Sequence, residues 1–271
     1  MKRLVIPTDL SPVSLQAIEF GLMLCAPLEA IITVVYVCEE PRGLAHRPIA
    51  EEKEAAREAL ESLIKRVRES SRCQGIIDFI IKEGRPYREV LREVKPAPMS
   101  YLVLSRHGLG GEDRMFPGGN AYRILAGART PAFLIPAGFE RKEGIRNIVL
   151  PLDESYESLE KLESTSLLAK LLGATVHVVL VTSGQIHDIR SMLRASSSRA
   201  IKILKRDGVP YTSEILIGSI ISDLSLQYAR EVNADLISIM SEREKSAHNS
   251  LIGPYAHHII TRSDIPVLVH P

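Results

Sequence analysis

The chain has 271 residues, 45% of them hydrophobic and 25% charged, a composition that builds sizeable cores without disulfides or metal. Its 34 basic and 33 acidic side chains leave a formal net charge of +1, which argues against a broad electrostatic surface for nucleic acid or anionic lipid. Three cysteines (Cys25, Cys38, Cys73) without C-x-x-C or zinc spacing read as reduced thiols of a cytoplasmic protein, and neither a signal-peptide core nor the roughly 20-residue apolar stretch of a membrane span is found.

In the first half, β-rich apolar runs at 3–7, 30–37, 76–82, 101–105 and 131–135 alternate with helical patterns at 12–25, 50–70, 86–95 and 119–128. The first run ends in Pro7-Thr8-Asp9, and two residues compete to cap the helix that follows. Ser11 before Pro12 is the stronger start signal, a hydroxyl cap with proline at the first helical position. That choice leaves the Asp9 carboxylate to accept hydrogen bonds from a ribose or an adenine edge; Asp9 as the cap itself is the alternative. In the second helix Ala56, Leu60, Leu63, Ile64 and Val67 keep the spacing of one buried stripe.

The second half repeats the first. Leu4–Asp9 matches Ile148–Asp153 and Ile32–Val37 matches Val176–Val181, both at an offset of 144. Further on, Gly84 matches Gly218 at 134, and Tyr101–Leu104, Gly118 and Pro131–Leu134 match Leu236–Ile239, Gly253 and Pro266–Val269 at 135. The shift places an insertion of about ten residues in the Pro/Gly-punctuated segment 39–48 of the first copy. A period this long predicts two domains, 1–137 and 145–271, joined by a linker at 138–144. Alternating strands and helices call for α/β domains, each a parallel sheet with helices on both faces.

In such sheets ligands bind beyond the carboxyl ends of strands, where strand order reverses. Two strand ends stand out. One is Pro7-Thr8-Asp9; the other is Ser105 with the loop holding Gly108, Gly110, Gly111, Gly118 and Gly119 before the helix patterned from 119. Glycines let main-chain N–H groups approach a phosphate, and a helix N-terminus adds unpaired donors; a flexible surface loop is the bland alternative.

Pro-Thr-Asp-x-Ser after the first strand, the Val-Tyr-Val strand, Gly84-Arg-Pro86 and Gly-x9-Gly before the last helix resemble the universal stress protein (UspA) family, in tandem form. The resemblance implies two doubly wound domains, each a five-stranded parallel sheet of order 3-2-1-4-5. It also implies an adenine nucleotide (ATP, ADP or AMP, with magnesium if ATP) as a regulatory or sensing ligand of a stress-response protein, not an enzyme substrate, with slow incidental ATP hydrolysis left open. By similarity Pro7, Thr8, Asp9 and Val37 line the adenine and ribose end, while Ser105, Gly108, Gly118, Gly119 and Asn120 face phosphate. Family members that bind ATP carry Gly-x2-Gly-x9-Gly followed by Ser or Thr. Here Ser105 replaces the first glycine and Gly119 the hydroxyl residue.

The second copy reads Met240-x2-Arg243-x9-Gly253-Pro254, and proline has no N–H to offer a phosphate, so a degenerate site is expected there. Asp153 then reads as a structural remnant. His257-His258 look like a metal pair, yet neighbours on a helix point about 100° apart, so one buried and one exposed histidine is the expectation. Exposed apolar edges at the last strand of each copy predict that the copies pair with each other there, with a homodimer of such units as a further form. The alternative function is a nucleotide-independent interaction module for an unidentified protein partner. An enzyme ranks below both: neither a Gly-x4-Gly-Lys-Ser/Thr loop nor a Gly-x-Ser-x-Gly elbow occurs in the sequence.

Overall fold

The computed structural model describes residues 2–39, 48–69, 77–94, 99–106, 119–140, 144–152, 160–182, 186–241, 244–245 and 250–271. They fall into two units, Met1–Lys142 and Glu143–Pro271. In the first unit the order is β1 (Arg3–Thr8), α1 (Pro12–Leu28), β2 (Ile31–Cys38), α2 (Ile49–Glu69), β3 (Ile77–Glu83), α3 (Pro86–Glu93), β4 (Ser100–Ser105), α4 (Gly119–Gly127) and β5 (Ala132–Ile135). Neighbouring strands run β3-β2-β1-β4-β5, every pair parallel.

Strands of this sheet are apolar on both faces because both faces are covered. Leu4, Ile6, Ile32, Val34 and Leu102 are fully buried, each side chain contributing on the order of 1.5–3 kcal/mol. The rings of Phe20 in α1 and Tyr101 in β4 flank Phe133 of β5, with centroids 5.3 and 5.1 Å away. Helix α2 lays Ala56, Leu60, Ile64 and Val67 on the sheet, whereas Leu63 of the expected stripe is only half-buried. Helices α3 and α4 pack on each other, and α1 and α2 lie on the strands they connect.

The second unit repeats the plan with β6 (Asn147–Leu152), α5 (Glu160–Leu172), β7 (Thr175–Thr182), α6 (Ile186–Asp207), β8 (Tyr211–Ile217), α7 (Ile221–Glu231), β9 (Leu236–Met240), α8 (Pro254–Arg262) and β12 (Val267–His270). Its parallel neighbours run β8-β7-β6-β9-β12. Between β9 and α8 lies an addition absent from the sequence reading, a short antiparallel pair of β10 (Glu244–Lys245) and β11 (Ser250–Leu251).

Details of the repeat survive at helix ends. Helix α1 closes with Glu29 in the left-handed region (φ 49°), its N–H donating to Ala26 O and that of Ala30 to Cys25 O. Gly173, which stands opposite Glu29 at the 144-residue offset, closes α5 the same way (φ 64°), with Ala174 N–H donating to Ala169 O. One core position diverges. Gly21 lets α1 press against Ile6, and its counterpart Thr165 instead carries a hydroxyl 2.7 Å from that of Ser238, itself 3.0 Å from His270 Nε2.

The expectation of one buried and one exposed histidine in α8 is corrected: His257 and His258 are both half-buried. His258 Nε2 lies 2.8 Å from Asp223 Oδ1 of α7, which packs beside α8. Among the described residues, Cys25 and Cys38 are buried, and the Cys25 thiol donates to Ala30 O at 3.2 Å. Cys73, Asp153, Arg243 and residues 40–47 of the insertion lie outside the described residues.

Candidate functional site

The crevice arises from the sheet itself. Strand β1 pairs with β2 along its whole length, from Arg3–Ile31 to Thr8–Tyr36. Toward β4 the ladder covers only Arg3–Ser100 to Val5–Leu102, so the two strands part over their last residues. A cavity of about 400 Å³ opens at the divergence, within the roughly 300–1,000 Å³ of small-ligand sites.

Seven of the nine residues expected at a nucleotide site stand in its wall: Pro7, Thr8, Asp9, Val37, Ser105, Gly119 and Asn120. Gly108 and Gly118 lie outside the described residues. The β1 end is built by side chains that hold an unfavourable turn. Leu10 adopts a left-handed φ of 62°, which an L side chain disfavours by about 1–2 kcal/mol. Its N–H donates to Thr8 Oγ1 at 3.0 Å, and the next N–H, of Ser11, donates to Asp9 Oδ1 at 3.0 Å. Behind the turn, the Thr8 and Ser14 hydroxyls lie 2.8 Å apart, and Ser14 O–H donates to Ser11 O at 3.0 Å.

Ser11 caps α1 as expected, accepting from Ser14 N–H at 3.2 Å, with Pro12 at the first helical position. The companion expectation, an uncommitted Asp9, is corrected. One carboxylate oxygen is engaged by the turn, because the left-handed Leu10 folds the Ser11 amide back over it.

Beside the expected Val37, the β2 side contributes residues that the sequence reading did not assign to the site. Val35, Tyr36 and Val37 all line the cavity, which curves past the end of the strand. Tyr36 O–H donates to Glu52 Oε1 of α2 at 3.1 Å. Burial, followed by the Glu52 carboxylate, pushes the Tyr36 phenol up to about 12. The Cys38 thiol is also raised, first by burial and then by the charges of Glu52 and Glu83. Register gave the missing signal for Tyr36, which pairs with Thr8 at the carboxyl end of β1. Glu52 carried a weaker one, an acidic residue in the first turn of the helix that follows β2.

Across the cavity α4 begins at Gly119, where an added Cβ would meet nothing within 4 Å. Gly119 and Asn120 are exposed there, in the first turn of a helix, whose N–H groups have no partner within the helix itself. Just after β3, Gly84 N–H donates to Cys38 O at 3.0 Å with φ 133°, a conformation that favours glycine. Among the described residues there is no group of three or more His, Cys, Asp or Glu placed to hold a metal ion. No helix among them is long and apolar enough to cross a membrane.

In the second unit β6 and β9 part after Ile148–Leu236 and Val149–Ile237. The far side differs: α8 starts at Pro254 with Gly253 as its cap, and Gly253 N–H is spent on Ser241 O at 3.0 Å.

Comparison with known proteins adds the following. The sequence profile of the universal stress protein family matches residues 1–136 and again 144–271. A universal stress protein of Methanocaldococcus jannaschii is 28% identical over 142 residues, covering 49% of this chain and 81% of that one. The crystal structure of a universal stress protein from Archaeoglobus fulgidus superposes with a TM-score of 0.78 at 19% identity, covering 99% of this chain and 97% of that one. A second structure from Archaeoglobus fulgidus, the universal stress protein in complex with dAMP, is 23% identical, with a TM-score of 0.39 over 46% of this chain and 96% of its own.

Proposed function

Because this chain belongs to the universal stress protein family, matched twice along its length, we propose that its first unit binds an adenine nucleotide at the β1/β4 crevice as a sensing ligand of a stress response. The observation that carries this reading is the wall of the cavity, where Pro7, Thr8, Asp9 and Val37 from one side meet Ser105, Gly119 and Asn120 from the other. Residues more than a hundred positions apart in sequence converge on a space sized for one mononucleotide.

The chemistry divides along the cavity. Val35, Val37 and Pro7 offer apolar surface for a base, and Asp9 offers carboxylate acceptors for sugar hydroxyls or ring amines. At the other end, the opening N–H groups of α4 and its positive dipole end favour an anion, with Ser105 adding a hydroxyl donor. The reading is of a ligand that is held and released.

Titration calorimetry with adenosine, AMP and ATP on the intact chain tests it, alongside Val37→Phe, which places a ring in the cavity. Binding by the parent chain and a more than tenfold loss in Val37→Phe, with the far-UV spectrum unchanged, is the expected result. Absence of heat with all three ligands would remove the nucleotide reading and favour an interaction module that works without one.

A further inference from the structure

We infer, building on that reading, that the cavity selects for low phosphate charge, holding a nucleoside or nucleoside monophosphate in preference to a nucleoside triphosphate. The charges in the wall set this preference. Three carboxylates line it, Asp9 at the end of β1, Glu39 just after β2 and Glu52 in the first turn of α2, and among its described residues there is no lysine or arginine. Glu52 is tethered there by the Tyr36 hydroxyl. Lys53, the next residue along α2, pairs with Glu83 at 2.7 Å.

Two neutral groups report the sign of the local field. Tyr36 is held protonated with Glu52 and Asp9 among the causes, and Cys38 with Glu52 and Glu83, each after burial. A phosphate oxygen placed beside Asp9, Glu39 and Glu52 meets like-charge repulsion from them. The helix dipole at Gly119 and Asn120 offers a partial positive charge of about half a unit, a match for one phosphate but not for three. The acceptor-rich wall suits instead the donors of a nucleoside, its ribose hydroxyls and exocyclic amine.

Repulsion of this kind has a signature that a steric limit lacks. Salt screens it, with a Debye length of about 10 Å at 0.1 M, so added salt should strengthen triphosphate binding rather than weaken it. Neutralising a carboxylate should act in the same direction, and more on ATP than on adenosine.

The test is a set of titrations of the full chain with adenosine, AMP and ATP in EDTA, at about 20 mM and about 300 mM salt. They are repeated on Glu39→Gln and Glu52→Gln, the latter keeping an acceptor for Tyr36. We expect ATP to bind roughly tenfold or more weakly than AMP at low salt. The gap should narrow several-fold at high salt, and each variant should narrow it further. ATP binding as tightly as AMP at low salt, or an ATP affinity that falls with salt as a basic site requires, overturns the inference while leaving the nucleotide reading in place. Failure of all three ligands to bind removes both. The two salt series on the parent chain decide the matter even where a variant does not fold.

Discussion

Single side chains decide the local chemistry of both units. Ser11 converts the end of β1 into the start of α1, and its hydroxyl satisfies an otherwise orphaned N–H at Ser14. Ser11→Ala should cost about 1 kcal/mol, read as a lower urea midpoint at unchanged slope. His270 in β12 is of a different kind. It is wholly buried beside the Ser238 and Thr165 hydroxyls, and burial, with a smaller contribution from the Lys161 charge, takes its pKa from the usual 6.5 down to about 3. The unfolded chain therefore takes up that proton first. Its contribution is complete above about pH 6.5 and is lost as pH falls, by up to about 1.4 kcal/mol per unit, levelling off near pH 3. Urea unfolding between pH 7 and pH 5 should show this loss. In His270→Leu, matching the aliphatic Ile135 of the first unit, the slope should flatten; an unchanged slope would place the titration elsewhere.

At the level of helices and strands, tight approach and chain reversal set the costs. Gly21 sits where a methyl group would run into Ile6 Cδ1, so a larger residue there requires the buried Ile6 side chain to turn aside. Gly21→Val should destabilise the first unit by about 1–3 kcal/mol through overpacking, measured as a drop in Tm. The end of the same helix points the other way. Glu29 occupies a left-handed position that its counterpart Gly173 fills without strain. Glu29→Gly should raise stability by about 1 kcal/mol, visible as a higher urea midpoint.

Which elements could be read in advance follows from how local their causes are. Helix α1 and its cap were legible because Ser11-Pro12 is a local signal, and the α2 stripe because its period is local too. Tyr36 and Glu52 were not, since they become neighbours only when α2 folds back over the end of β2. The Asp9 contact depended on a left-handed Leu10, a conformation that leucine does not announce. The pair β10–β11 is two residues a side, too short to leave a periodic trace.

For the whole molecule, the duplicated plan predicts an uneven response to ligand. A nucleotide held only by the first unit should protect that unit alone, by about 2.7 kcal/mol at a hundredfold excess over Kd. Hydrogen exchange of the intact chain with AMP should slow at β1, β2 and the start of α4 and leave β6 and β7 unchanged. Equal slowing in both halves would mean that the second is also occupied. The repeat itself was visible from sequence offsets, since the paired strands carry the same apolar runs.

A recess made by two diverging backbones does not depend on any one side chain for its existence. Because β6 and β9 separate as β1 and β4 do, the second half keeps the same parting of strands. Evolution, or an engineer, could retool such a parting for another small molecule by rewriting loop residues alone, while the buried scaffold beneath stays as it is.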